Sequence, residues 1–514
     1  MTIASRAQDW ARHLLCILAL MWVPLANGQP FFFYDTTNYV RAADVALHLA
    51  SGKTISTAWT ERYAGSIPEN GAIRPDAGTV APAGAAHSEV THNDISAGLI
   101  MSGRSPYIGA LMYLGYLASD FWLYVVFQAA VSYFLIVLAL RRFGIDGKGL
   151  IVGTVLGLSA LTTLPFYNGL LLADSFGAFA IIAFLLLATP GKLSRGEVAA
   201  LVGVLVVSVS AHLTHIVMLA AMLAALALLA LLRWPPAAQR RAWLAGAACI
   251  AVGFASVQLT AFATELALGK KPNLLPLLTS RFVADGPGKA YIDAGCEGDR
   301  FTICRVHIGD PTNATNILSS AQRSTGTYLF ANVEERRRLG TEDTAFAWAV
   351  FKFDPVGQTG MIVHNTFKQL LWVEYGGLNV GCFDGPYCWE SLPTPVRETF
   401  KRTPSGQNAW PEDAMTAVLR ATTLVSLAVL LVGLWNLARS SPRDFAVLRL
   451  WVAVTLAAML ASAAFGGAGV EPQYRYQGRL IWLVPFFAII AVGLVRRARR
   501  AAPEIGATLE ARSA

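Results

Sequence analysis

Asp35 follows an aromatic run, Phe31, Phe32, Phe33 and Tyr34, and precedes Thr36, Thr37, Asn38 and Tyr39. Such a run marks a membrane–water boundary, where a carboxylate meets the head group of a lipid-linked substrate. It suits a general base or a metal ligand; the competing role is a cap for the helix running through Val45 and Leu49. Asp174 lies between Leu170–Ala173 and a second apolar run from Phe176 to Leu187. Acids within a span are costly and face a cavity or a partner, with helix capping as the alternative. His212 and His215, three residues apart, share a face on a helical turn and suit phosphate binding, proton relay or metal ligation. Two histidines without a third ligand support a metal weakly, and satisfied interfacial histidines are at least as strong an alternative. Arg475 and Arg479, four apart in Glu471-Pro-Gln-Tyr-Arg-Tyr-Gln-Gly-Arg479, present guanidinium forks that fit a phosphate or pyrophosphate. Snorkelling to lipid head groups competes. Tyr474 and Tyr476 supply a stacking surface for a sugar or an interface anchor.

The elements that position these residues are membrane helices. Of 514 residues, 54% are hydrophobic and 14% charged, against about a quarter charged in soluble domains. Apolar stretches predict about ten spans, at 13–29, 121–140, 149–166, 170–189, 198–213, 216–232, 243–264, 416–438, 445–465 and 479–495. The first also fits a cleavable signal, with Ala26 and Gly28 in cleavage-like positions, although a retained anchor is favoured. The net charge of +8 sits in short linkers: Arg141, Arg142 and Lys148; Lys192 and Arg195; Arg233, Arg240 and Arg241; Arg439 and Arg443; and Arg496, Arg497, Arg499 and Arg500. The intervening linkers lack basic residues, so the charge reports topology, with these clusters cytoplasmic, and no nucleic-acid partner.

On this topology every candidate site residue falls on the outer face. The chain divides into a membrane region at 1–264 with an outer loop at about 30–120, an outer loop domain at 265–415, membrane helices at 416–500 and a cytoplasmic tail at 501–514. The first loop ends in an apolar segment containing Ile108, Leu111, Met112, Leu114 and Leu117, interrupted upstream by Ser102, Gly103, Arg104 and Pro106, which reads as an interfacial helix. Asp354-Pro355 predicts a helix start running toward Trp372. Cys296, Cys304, Cys382 and Cys388 lie in the loop domain. An even set suggests disulfides, simplest as 296–304 and 382–388 among three connectivities, with a metal site as the rival. The Asn313-Ala314-Thr315 sequon matters only if asparagine is glycosylated on that side.

The whole arrangement resembles the GT-C membrane glycosyltransferases that use polyprenyl-phosphate sugars. Tyr34-Asp35 followed by Tyr39 resembles their acidic signature, and Thr36 stands where many members carry a second acid. The resemblance implies an all-α polytopic membrane fold with a mainly helical outer domain, in a bacterial inner membrane with a periplasmic active face. It implies catalytic roles for Asp35 and Asp174, with Arg475 or Arg479 holding the lipid phosphate. Tyr39, His212, His215 and Tyr474 are the further substrate-binding candidates. Its partners would be a lipid-linked sugar donor, membrane lipids and a glycan or lipid acceptor. A divalent cation, magnesium or manganese, is the cofactor of some members and an open expectation here. A polysaccharide polymerase or ligase using a lipid-pyrophosphate donor is the nearest rival. A glycolipid transporter or flippase is the other, and would show internal repeats and broken helices near the midplane.

Overall fold

The computed structural model describes residues 3–33, 35–63, 104–236, 238–320, 322–379 and 392–513. Tyr34, Cys382 and Cys388 lie outside them. The protein is an α-helical integral membrane protein. Among the described residues, six helices are long and apolar enough to cross a bilayer: Trp122–Arg142, Leu213–Leu231, Arg240–Ala267, Glu412–Ser440, Pro442–Ala468 and Tyr474–Arg500. The other expected spans are shorter helices.

The chain opens with α1 (Ile3–Ala19) and α2 (Trp22–Asn27), followed by α3 (Thr36–Ala50), α4 (Ala58–Tyr63) and α5 (Pro106–Ser119). Next come α6 (Trp122–Arg142), α7 (Lys148–Leu161), α8 (Leu164–Gly169), α9 (Ser175–Ala188), α10 (Arg195–Ala211), α11 (Leu213–Leu231) and α12 (Arg240–Leu268). All fourteen residues of α9 are buried, because α6, α10, α11 and α12 pack around it. A helix apolar on every side needs such a jacket.

The basic linkers gather at one end of this bundle. Arg142 and Arg241 both donate to the carbonyl of Thr189, at 2.8 and 2.9 Å. Lys148 meets Asp9 at 2.7 Å, and Arg497 pairs with Asp444 at 2.7 Å.

At the other end sits a helical unit with its own core: α13 (Leu277–Ala284), α14 (Pro287–Asp293), α15 (Cys296–Asp299), α16 (Ala314–Ser319), α17 (Val333–Phe353) and α18 (Pro355–Leu371). Cys296 and Cys304 form a disulfide within it. Asp354 accepts from the Gly357 amide at 2.8 Å with Pro355 in the first turn, the expected start of α18. The chain closes with α19 (Thr394–Phe400), α20 (Glu412–Ser440), α21 (Pro442–Ala463), a π-helical turn at Ala464–Ala468, α22 (Tyr474–Gly478) and α23 (Leu483–Ser513).

One expectation is corrected. Asp174 is not inside a helix that begins at 170: helix breaks after Leu161 and resumes at Ser175, with only the six-residue α8 between. The reason is that the backbone of 168–172 bonds to tertiary partners.

Candidate active site

Beyond α2, Gly28 turns the chain with φ +75, a region glycine enters without steric cost. The chain then runs extended alongside residues 169–171. Phe31 N–H donates to Gly169 O and Leu171 N–H to Phe31 O, each at 2.9 Å. Thr36 Oγ1 donates to Leu171 O at 2.9 Å, Tyr124 OH to Leu172 O at 2.7 Å, and Gln128 Nε2 to Asn168 O at 3.1 Å. Irregular backbone survives at membrane depth only where its polar groups are met inside the protein, and these bonds meet them. The consequence is that Asp35, heading α3, and Asp174, heading α9, leave from neighbouring segments.

Both acids occupy N-cap positions, yet neither side chain makes a capping hydrogen bond. Asp35 accepts from Arg104 on Oδ1 and from Arg475 Nη1 on Oδ2, the latter at 3.2 Å. Asp174 Oδ1 accepts from Arg479 Nη1 at 3.2 Å, and Arg479 Nη2 also reaches Ser462 Oγ at 3.3 Å. The Arg479 amide bonds to the Arg475 carbonyl at 3.2 Å, so a single helical turn delivers one guanidinium to each acid. Arg475 also lies 4.6 Å from the Phe33 ring centroid and donates its Nε–H to Gln473 Oε1 at 3.1 Å. Burial by itself would raise the Asp35 carboxyl; the Arg104 and Arg475 charges outweigh it and hold the group below the ordinary aspartate value. Asp35 is therefore ionised and well supplied with counter-charge.

Tyr39 is buried on α3, and burial raises its phenol above the ordinary range, so its hydroxyl stays protonated. Opposite it, Gly109 of α5 lets the helices meet: a Cβ there would lie 2.3 Å from the Tyr39 carbonyl oxygen. His212 Nδ1 accepts from the Thr214 amide at 3.1 Å and caps α11. His215 is different. Its Nδ1 lies 2.8 Å from Ser208 O; a carbonyl only accepts, so Nδ1 carries the proton and Nε2 is a bare acceptor. Among the described residues that buried Nε2 has no hydrogen-bond partner, and it faces α9, 3.2 Å from where a Cβ on Gly177 would stand. The Tyr474 ring packs on Gly376 and Gly377, whose φ values of +51 and +85 demand glycine. With Phe33, Phe166, Tyr167, Leu170 and Arg475 these residues bound a narrow crevice.

Two contributors escaped the sequence reading as site residues. In the sequence Arg104 reads only as an interruption before α5, although it breaks the same charge rule that singles out Arg475 and Arg479. Gln369 of α18 holds the Gln473 backbone from both sides, donating to its carbonyl at 2.9 Å and accepting from its amide at 2.7 Å. The π-helical turn between α21 and α22 presents Gly466 to the Tyr476 ring and Gly467 to the Asn365 carbonyl; π turns recur at functional sites.

Guanidinium groups take both oxygens of Asp35, and no group of three His, Cys, Asp or Glu side chains converges among the described residues.

No protein-family model matches the chain, and no curated protein matches it. Among solved structures, a match is ArnT from Cupriavidus metallidurans bound to undecaprenyl phosphate. It is 14% identical over 87% of this chain and 77% of that one, with a TM-score of 0.26.

Proposed function

We propose that the chain is a membrane glycosyltransferase that moves a sugar from a polyprenyl-phosphate donor to a hydroxyl acceptor, a glycan or a lipid, at the face opposite the basic linkers. The observation that carries this reading is one carboxylate held between two arginines, Arg104 and Arg475, with a second acid–arginine pair one helical turn away. The basic linkers collect at the far end of the bundle, which the positive-inside rule assigns to the cytoplasm. The site then faces the periplasm, where a lipid carrier is the available form of activated sugar.

Without donor, Asp35 serves as counter-ion to Arg104 and Arg475. A donor phosphate competes for those guanidiniums, and a phosphate offers them bidentate geometry. As Arg475 turns to the phosphate, Asp35 loses counter-charge and becomes a stronger base. It takes the proton of the acceptor hydroxyl as that oxygen bonds to the anomeric carbon. The bond from the anomeric carbon to the phosphate oxygen breaks, and arginine stabilises the charge on the departing polyprenyl phosphate. In this reading Tyr39 and Tyr474 contact the sugar or its acceptor, and Asp174 keeps Arg479 oriented.

The test is ligand-induced stabilisation in detergent. Polyprenyl phosphate at about a hundred times its dissociation constant stabilises a folded protein by roughly 2.7 kcal/mol, so the melting midpoint of the native protein should rise and that of Arg475→Gln should rise far less. Equal shifts in both proteins would count against this site for the phosphate.

A further inference from the structure

Helix α18 has its polarity reversed. Its inward face is polar: Gln358 and Gln369 are fully buried and Asn365 is 4% exposed. Gln358 Nε2 and Asn365 Nδ2 donate to Asp285 at 3.0 and 2.8 Å, and Gln369 holds Gln473. Its outward face carries an apolar stripe beside exposed Thr359, His364 and Lys368: Val356 is 82%, Phe367 55% and Leu371 75% exposed, with Val363 on the same stripe at 49%. A helix on a water-facing domain shows the opposite pattern, apolar inward and polar outward. The spacing 356, 363, 367 and 371 keeps the four side chains on one side for the full length of α18, about 25 Å at 1.5 Å per residue.

We infer that α18 lies on the membrane, with this stripe in the boundary between head groups and hydrocarbon of the leaflet on the site's side. Three features select lipid as the occupant. First, the chain just after α18 is tied to the start of the membrane helix α20: Tyr375 N–H donates to Thr416 Oγ1 at 3.2 Å, and Arg420 Nε to Val373 O at 2.8 Å. The outward apolar surface of α20 begins at that level, with Val418 at 47% and Leu424 at 68% exposed, so Leu371 meets the plane where lipid contact starts. Second, the corner before α18 extends the patch, with Trp348 58% and Phe353 49% exposed. Third, lysines accompany the aromatic groups at both ends: Lys352 lies 5.5 Å from the Trp348 ring and Lys368 5.6 Å from that of Trp372. Tryptophan and lysine paired around an apolar stripe suit an interface with anionic lipid. The segment assigned by sequence to an outer domain is thus in part a surface-bound membrane element. Through Gln369 it also steadies the residue two positions before Arg475. The inference is independent of the reaction proposed above.

Photo-crosslinking tests it. The full chain carrying Val363→p-benzoylphenylalanine or Phe367→p-benzoylphenylalanine is placed in nanodiscs of phosphatidylethanolamine and phosphatidylglycerol and irradiated, and adducts are identified by mass spectrometry. Glu334, whose side chain is 64% exposed on α17, carries the probe as control, and Leu371 provides a second position should either variant fail to fold. Phospholipid adducts at 363, 367 or 371, at least several-fold above those at 334, are expected. Lipid adducts no more frequent than at 334 would overturn the inference. So would a covalent dimer, which would give this face to a second copy of the chain.

Discussion

Arg475 Nη1 and Asp35 Oδ2, 440 residues apart in sequence, lie 3.2 Å apart. The contact joins the first loop of the chain to the turn that enters its last membrane helix. Since Asp35 also receives Arg104, the charge balance of this carboxylate is set by two arginines.

Arg475→Gln should therefore raise the Asp35 carboxyl, because burial is then opposed by one guanidinium where there were two. The acid limb of kcat/KM should move to higher pH in the variant. For stability the sign is that of a depressed acid: its contribution is present above the ordinary aspartate value and lost as pH falls through the lower folded one. Stability of the native protein should thus fall below about pH 4, and less steeply in Arg475→Gln. Melting curves and rate profiles across pH read both effects.

The Asp174–Arg479 pair is buried, with side chains 7% and 1% exposed. Breaking such a pair from one side costs about 3–5 kcal/mol, since it strands a buried charge. Asp174→Asn and Arg479→Gln should each lower the melting midpoint strongly, and the double variant should lose much less than the sum. Additive losses would show that the two groups are not coupled.

Thr36 is fully buried and its hydroxyl bonds Leu171 O while accepting from the Phe33 amide. Thr36→Val keeps the shape and removes both bonds, so a loss of about 1–3 kcal/mol is expected. Transfer should drop with it, because the bond fixes the segment that leads to Asp174. A silent substitution would mean the extended pairing of 31 with 170 holds without it.

Cys296 and Cys304 close a loop with a sequence separation of 8. By the loop-closure relation, losing the bond costs roughly 2–3 kcal/mol. Cys296→Ser should unfold the helical unit earlier in denaturant while leaving the membrane helices in place, as read by proteolysis of that unit.

The helix pattern and the charged site candidates were legible because a charge in so apolar a chain is conspicuous, and because Asp354-Pro355 is a local signal fixed within four residues. Capping, which competed for both acids, is a local role too, and only three-dimensional partners rule it out: Arg475 for Asp35 and Arg479 for Asp174 stand 440 and 305 residues away. The break before Asp174 was hidden for the same reason. Leu170, Leu171 and Leu172 are as apolar as any span, and what unwinds them is hydrogen bonding to Phe31, Thr36, Tyr124 and Gln128. The reversed face of α18 was also hidden, since periodicity shows that a helix has two faces without showing which one turns inward.

The central claim is that Asp35 is the base in sugar transfer from a polyprenyl-phosphate donor. The most direct measurement is turnover of a labelled polyprenyl-phosphate sugar by native protein and by Asp35→Asn, both in nanodiscs and both checked for folding by gel filtration. The native protein should release polyprenyl phosphate, and the variant should do so at a rate lower by about a hundredfold or more, the scale of a general-base contribution. Unchanged turnover in a folded Asp35→Asn protein would contradict it.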